Sequence, residues 1–145
     1  MNKTYVPNKK AINVQAWYLI DGKDATLGRI STQAAKILRG KHKTIYTPYL
    51  YQKSTLIIIN AEYIKITGNK SSKKIYTRHS GFPGGLKTET FDHLQKRKPE
   101  KIIEHAIKGM LPKGSLGKQL FRQLKVYSKN QHPHKAQQSQ IICIN

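Results

Sequence analysis

Four consecutive apolar residues, Leu56-Ile57-Ile58-Ile59, stand between polar neighbours in the middle of the chain. An uninterrupted run of this length, rich in β-branched residues, is typical of a strand that is buried on both faces. Strands of that kind occur in parallel or mixed sheets that carry helices on both sides. The run therefore predicts an α/β protein.

Upstream of this run, the pattern predicts a strand followed by a helix. Trp17-Tyr18-Leu19-Ile20 combines aromatic and branched residues, as buried strands do, and turn-forming residues follow it. Thr26 is placed to cap the helix, and Gly40 is placed to end it. The apolar residues between them share one helical face. They are Leu27, Ile30, Ala34, Ile37 and Leu38.

Downstream of the run, the sequence predicts further extended structure. Ile64-Lys65-Ile66-Thr67 alternates as a strand does, and Gly68-Asn69 suits a turn after it. The lysines at 70, 73 and 74 then lead to Ile75-Tyr76-Thr77-Arg78. Together the two segments predict either a further strand pair or an extended excursion with a basic tip. The segment 79–85 is rich in glycine and is predicted to be a loop. Thr88 is predicted to cap a short helix that carries Phe91 and Leu94.

Two helices are predicted near the C-terminal end, separated by the glycine- and lysine-rich stretch 109–118. Pro99 suits the first turn of the earlier helix. Its predicted core face is Ile102, Ile103, Ala106, Ile107 and Met110. The later helix has a stripe made of Leu116, Leu120, Phe121 and Leu124, and a last short strand is predicted at Val126-Tyr127. We interpret the stretch between the helices as a hinge that brings its lysines to a phosphate group.

The chain is long enough for a single domain with a core and shows no internal repeat. Residues 1–15 are predicted to form a basic N-terminal arm. Residues 16–127 are predicted to form one α/β nucleic-acid-binding domain, and residues 128–145 a polar and basic C-terminal tail.

The charge of the chain indicates a polyanionic partner. Lysines and arginines number 27 against 7 acidic residues, which gives a net charge of +20. Such a chain repels itself unless a polyanion is present, so a nucleic acid is the first expectation. Lysine carries most of the charge and binds phosphate as a point charge, which favours backbone contacts over base reading. No DNA-reading helix motif is apparent, so structured RNA is favoured over duplex DNA.

Enzymatic and metal-binding alternatives find less support. Gly109 and Gly114 have the spacing of a phosphate-binding loop, but Ser115 stands where that motif requires lysine. His132-x-His134 is the only close pair of metal-ligating side chains, and Cys143 is the only cysteine. We therefore predict no catalytic residue, metal, cofactor, small-molecule substrate or membrane segment. A small phosphate- or nucleotide-handling enzyme that uses the glycine-rich loops stays as the alternative.

Motifs along almost the whole chain resemble the large-subunit ribosomal protein L13 family of bacterial and organelle type. The most specific is Lys108-Gly109-Met110-Leu111-Pro112-Lys113-Gly114, which continues to Gly117 and then to Leu124-Lys125-Val126-Tyr127. The others occur in the order expected of the family. They are Trp17-Tyr18-Leu19-Ile20-Asp21, Thr26-Leu27-Gly28-Arg29, Leu38-Arg39-Gly40-Lys41-His42-Lys43, Tyr46-Thr47-Pro48, Ile59-Asn60-Ala61, Thr67-Gly68-Asn69-Lys70, His79-Ser80-Gly81 and Gly84-Gly85.

The resemblance implies a three-layer α/β/α fold with a small, mainly parallel sheet of about four strands. It implies a non-enzymatic constituent of the large ribosomal subunit that binds large-subunit (23S-type) rRNA, supports early subunit assembly and translation, and lies beside other large-subunit proteins. Fourteen residues are the RNA contacts implied by position. They are Lys41, His42, Lys43, Lys70, Arg78, His79, Ser80, Gly81, Lys113, Gly114, Lys118, Arg122, Lys125 and His132.

The usage of lysine, isoleucine and asparagine suggests an AT-rich genome, and no transit peptide is recognised. The expected location is the ribosome of the plastid (chloroplast) stroma, with the cytoplasm of an AT-rich bacterium as the alternative.

Overall fold

The computed structural model describes Pro7 and residues 15–143. The predicted basic arm therefore lies almost wholly outside the described residues. The described strands are β1 (Ala16–Asp21), β2 (Ser54–Ile59), β3 (Ile75–His79), β4 (Leu86–Thr90), β5 (Leu124–Val126) and β6 (Gln140–Ile142). The described α-helices are α1 (Leu27–Leu38), α2 (Lys70–Lys73), α3 (Phe91–Arg97), α4 (Pro99–Met110) and α5 (Ser115–Arg122). Short 3-10 turns occur at Ala61–Tyr63 and Lys135–Gln137.

Four strands form one parallel sheet in the order β5-β2-β1-β6. Leu56 of β2 lies opposite Tyr18 of β1 on one side and Leu124 of β5 on the other. All six residues of β2 are buried, which explains why this strand has no polar alternation. The continuous apolar run thus predicted both the strand and the parallel character of its sheet correctly.

Helix α1 connects the carboxyl end of β1 to the amino end of β2. All five residues of its predicted apolar face are buried. Gly40 follows the helix with a φ of 71°, and its N–H donates to the Ile37 carbonyl at 2.9 Å. A left-handed glycine here ends the helix without the steric cost that a side chain would carry. The predicted end of the helix is confirmed.

The two faces of the sheet are covered differently. Tyr18, Ile20, Leu56 and Ile58 join side chains of α1 and α4 in the hydrophobic core. Trp17 lies on the opposite side of β1, because side chains alternate along a strand, and its ring lies 5.2 Å from that of His134 in the C-terminal segment. The predicted fold class is confirmed: a three-layer α/β arrangement around a small, mainly parallel sheet.

The C-terminal segment also supplies a strand. β6 pairs in parallel with β1, so that Ile20 lies opposite Ile142. Residues 140–142 are thus part of the same sheet as residues 16–21, although they belong to the segment predicted as a tail. The division into arm, domain and tail stays a prediction.

Two local predictions between the strands are wrong. Ile64-Lys65-Ile66-Thr67 does not form a strand; only Lys65 makes an isolated bridge, to Thr26. The alternation there reflects a loop in which Ile64 is buried and Lys65 is exposed. Thr88 lies within β4, and Thr90 is the residue that precedes α3.

The predicted core face of α4 is wrong at its last residue. Ile102, Ile103 and Ile107 are buried as expected, but Met110 is 44% exposed. The helix ends at Met110, and the next residue, Leu111, turns into extended backbone and becomes 5% exposed. Leu111 therefore fills the end of the core, and Met110 lies on the surface.

Candidate nucleic-acid interface

Lys41, His42 and Lys43 follow Gly40 at the amino edge of the parallel sheet, where α1 ends. His42 is held in place by the body of the protein: its Nε2 lies 3.0 Å from the Tyr18 hydroxyl, and the two rings meet edge to face at 5.3 Å. Lys41 is exposed and Lys43 is half-buried. The three residues therefore form a basic projection whose central side chain is fixed by packing.

The positive charges of this projection are disfavoured in the free protein. Burial, followed by the charges of Lys43 and Lys36, holds the pKa of His42 below its usual value. Burial also lowers the pKa of Lys43. Both shifts disfavour the charged forms in the free protein, and a bound phosphate would oppose them because it stabilises nearby positive charge.

Arg122 lies at the same edge of the sheet. It is the last residue of α5, and the carbonyl of the next residue, Gln123, accepts a hydrogen bond from the Leu56 N–H at 3.1 Å. Lys125 follows on β5, which is an edge strand, and is exposed. We call Lys41, His42, Lys43 and Arg122 the helix-end cluster.

Lys113 and Gly114 lie in the turn between α4 and α5, and Lys118 lies within α5. The glycine that this turn requires for packing is Gly117, which is buried. A Cβ atom at Gly117 would overlap the carbonyl oxygen of Pro112, whereas one at Gly114 would meet nothing within 4 Å. Gly117 thus lets α5 approach Pro112 closely, and Lys113 and Lys118 on either side of it are exposed.

Arg78, His79, Ser80 and Gly81 lie in the antiparallel hairpin formed by β3 and β4, outside the main sheet. The predicted strand at 75–78 is confirmed, but the predicted pairing is wrong, because its partner is β4 and not the segment 64–67. His79 Nδ1 accepts a hydrogen bond from the Gly81 N–H at 3.0 Å, and the Ser80 N–H donates to the Gly85 carbonyl at 3.1 Å. All four predicted residues are exposed.

Lys70 and His132 lie apart from these groups. Lys70 begins the short helix α2 and is exposed. His132 is half-buried in the C-terminal segment, where its ring lies 6.4 Å from that of Tyr127 and 6.5 Å from that of His134. The Tyr127 hydroxyl lies 2.9 Å from His134 Nε2. The structure therefore places the predicted contacts on several separate surfaces. The residues themselves stay predictions.

A groove of about 1050 Å³ separates the hairpin from α3, α4 and the edge of α5. Of the fourteen predicted residues, Arg78 alone lines it. Six lysine and arginine side chains line the groove. They are Arg78, Lys87, Arg97, Lys98, Lys101 and Lys108.

A detectable signal for this groove was present in the sequence. Lys98, Lys101, His105 and Lys108 are spaced by three, four and three residues, so they share one face of a helix. That face is opposite the apolar positions Ile102, Ile103 and Ile107. The packing of a distant hairpin against it could not be deduced from the spacing.

Glu89 is the acidic residue most strongly engaged in the groove. Its carboxylate accepts hydrogen bonds from Arg97 Nε at 2.9 Å and Arg97 Nη2 at 2.6 Å, and it lies 2.7 Å from His93 Nδ1. Hydrogen bonds from Arg97 and then His93 lower the pKa of Glu89 to about 2. Glu89 is therefore ionised at neutral pH and fixes the Arg97 guanidinium at the groove wall.

Most basic side chains of the described residues have no carboxylate partner. In the described part of the chain, the lysines and arginines that do form ion pairs are Lys65, Arg97 and Lys101. No group of three or more His, Cys, Asp and Glu side chains in residues 15–143 is arranged to hold a metal ion. None of the described helices has the length and apolar composition that a membrane span requires.

Comparison with known proteins identifies the family. The profile of ribosomal protein L13 matches residues 15–133 of the chain. The chain is 55% identical to the large ribosomal subunit protein uL13 of Synechococcus elongatus, over 99% of this chain and 95% of the relative. It is 55% identical to the uL13 of Microcystis aeruginosa, over 100% and 95%, and 56% identical to that of Prochlorococcus marinus, over 99% and 95%. The chain therefore belongs to the ribosomal protein L13 family and is a structural protein of that family, not an enzyme.

Proposed function

We propose that this protein is a structural constituent of the large ribosomal subunit, that it binds large-subunit rRNA, and that it supports early assembly of the subunit. The observation that carries the proposal is the excess of exposed, unpaired positive charge. Lysines and arginines outnumber acidic residues by 27 to 7, and few of those in the described part are paired. Charge of this kind is neutralised by phosphates, with release of counterions.

The distribution of the cations supports recognition of RNA shape. The helix-end cluster, the pair Lys113 and Lys118, and the hairpin lie on different parts of the described structure. Several separated phosphate contacts can fit only an RNA whose strands hold a defined relative position. A protein that joins strands in this way stabilises a folded RNA, which suits a role in assembly. Neighbouring large-subunit proteins are proposed partners as well.

The proposed location is the ribosome of a plastid, with the bacterial cytoplasm as the alternative. The relatives described above are cyanobacterial proteins. Similarity to them is consistent with either location. Fractionation of the source cells, followed by detection of the protein in plastid or cytoplasmic ribosomes, distinguishes the two locations.

Binding to purified RNA tests the central proposal. We expect the protein to bind a large-subunit rRNA fragment more tightly than a scrambled RNA of equal length at 0.15 M salt. A triple variant, Lys41→Gln, Lys43→Gln and Lys118→Gln, should weaken binding. A matched control with the same change of charge, Lys23→Gln, Lys96→Gln and Lys129→Gln, should bind nearly as the unmodified protein does. Equal affinity for both RNAs, together with failure to sediment with large subunits, would contradict the proposal.

A further inference from the structure

We propose that the groove between the hairpin and α4, which we call the hairpin groove, holds a single-stranded segment of RNA with its phosphates between two positively charged walls. The inference rests on the proposed function, because it assigns a site to RNA binding. It concerns a surface that, apart from Arg78, is distinct from the contacts expected from the family motifs.

The hairpin supplies the first wall. Arg78 and Lys87 lie directly opposite each other on the paired strands β3 and β4. Like charges at such a position repel and weaken the pairing of the strands. Neither side chain is paired with a carboxylate in the described structure. The repulsion is removed when an anion lies between them, so this pair indicates an anionic occupant.

Helix α4 supplies the second wall. Lys101 and Lys108 lie on the groove face of the helix, together with His105, and Lys98 lies just before the helix begins. From Lys98 to Lys108 this stripe extends for roughly 15 Å along the helix axis. Lys101 lies in the first turn, where the helix dipole disfavours a cation. The stripe therefore places positive charge along the groove face of the helix, where an extended polyanion could lie.

The lining of the groove also carries limited negative charge and some aromatic surface. The Glu89 carboxylate is already engaged by Arg97 and His93, and Glu104 lies 3.6 Å from Lys101 Nζ. The six cations thus exceed the two carboxylates by four formal charges. Tyr76 and Phe121 line the groove, and Lys108 Nζ lies 6.0 Å from the centre of the Phe121 ring. Aromatic side chains beside a cationic groove are a surface on which bases stack.

The form of the groove selects among possible occupants. Its volume of about 1050 Å³ is at the upper end for a small-molecule site, and a small anion would contact one wall only. A duplex carries its phosphates on its outer surface and would also meet a single wall. An extended strand lies between both walls at once. An acidic peptide would match the charge of the groove, but its carboxylates would leave the aromatic rings without a stacking partner. RNA supplies both phosphates for the cations and bases for the rings, so the lining favours RNA.

Neutralisation of one wall tests the inference in solution. The groove variant Lys98→Gln, Lys101→Gln, Lys108→Gln changes three exposed side chains and should melt as the unmodified protein does. Each lost phosphate contact reduces the slope of log affinity against log salt by about 0.7 for a single strand, so the slope should fall by about 2. If the variant and the unmodified protein bind equally at 1 M salt, this difference in slope makes the variant's affinity lower by a factor on the order of a hundred at 0.1 M salt.

The control for charge alone is the variant Lys23→Gln, Lys96→Gln, Lys129→Gln, whose side chains lie outside the groove. It should keep its affinity within about threefold, because distant exposed charges are screened. If the groove variant keeps the same slope and affinity as this control while the unmodified protein binds rRNA, the groove is not an RNA site and the proposed function stands. If the unmodified protein does not bind rRNA, both proposals fail.

Crosslinking in assembled particles tests the identity of the occupant. A photo-crosslinker attached to Thr88→Cys in a Cys143→Ser background lies in the groove. The same label at Gln33→Cys, on the exposed side of α1, is the control. An RNA adduct from Thr88→Cys, stronger than that from Gln33→Cys, is expected in isolated large subunits. An adduct to an acidic protein segment, or no adduct, would overturn the inference.

Discussion

The parallel sheet and the β3–β4 hairpin are both built from β-strands, yet they are stabilised in opposite ways. Every residue of β2 is buried, whereas four of the five residues of β3 are exposed. The sheet gains stability from apolar burial between the strands and the helices α1 and α4. The hairpin places Arg78 opposite Lys87, which weakens strand pairing. The comparison shows that apolar burial in the sheet determines the fold. In the hairpin, exposed positive charges are held close together although their repulsion lowers its stability.

The strongest test of this contrast is a buried charge in the body. Ile103→Asp should destabilise the protein by more than about 4 kcal/mol, because Ile103 is 0% exposed and an aspartate there would have no partner. Met110→Asp, on the same helix but at an exposed position, should cost about 1 kcal/mol or less. Urea unfolding measures both values. Equal free energies of unfolding for the two variants would mean that burial does not distinguish these positions.

A second test concerns close packing at the turn before α5. Gly117→Ala should cost about 1–3 kcal/mol, because the added Cβ would overlap the Pro112 carbonyl oxygen and force the turn to shift. The control Gly109→Ala adds a Cβ with nothing within 4 Å and should gain about 0.5–1 kcal/mol through helix propensity. Thermal melting with circular dichroism compares them. Stabilisation by both substitutions would contradict the packing described for Gly117.

The third test is made in the hairpin, where we expect stability and binding to change in opposite directions. Lys87→Gln removes one of two opposed cations and should raise the free energy of unfolding by about 0.2–1 kcal/mol. It should also weaken rRNA binding if the hairpin groove is an RNA site. Lys96→Gln is the control, since it removes a charge outside the groove. A loss of stability in Lys87→Gln would show that the pair is not repulsive in the free protein.

The smallest expected effect is the contribution of Glu89 to the pH dependence of protein stability. Because its pKa is lowered from about 4.5 to about 2, the folded state binds this proton less readily than the unfolded state. The stabilisation is therefore complete above pH 4.5 and is lost as the pH falls toward 2. Comparison of melting temperatures between the unmodified protein and Glu89→Gln should show a gap that narrows over this range. A constant gap would mean that the carboxylate is not held by Arg97 and His93.

The body was more predictable from the sequence than the hairpin region. The run at 56–59, the helical face that begins at Leu27 and the glycine at position 40 are local signals, and burial agrees with each of them. The misplacement of Met110 has a tertiary cause, since Leu111 fills the space that helical spacing assigned to Met110. Local patterns predict the elements but not where the core ends.

The candidate interface was less predictable for the same physical reason. Tyr76 of the hairpin meets His105 of α4 edge to face at 5.5 Å, a contact between residues far apart in the sequence. That packing creates the hairpin groove, and no local pattern encodes it. The helical stripe from Lys98 to Lys108 was visible, but a stripe of lysines becomes one wall of a groove only when the opposite wall is in place.

The pairing of β6 with β1 has a consequence for the order in which the protein can fold during its own synthesis. β1 is the first described strand to leave the translating ribosome, and β6 is the last. β1 can pair with β2 as soon as that strand emerges, but its other edge stays open until nearly all of the chain has been made. An open strand edge is a site of unwanted pairing between molecules. The nascent protein therefore carries this hazard for most of its translation, and the final strand removes it.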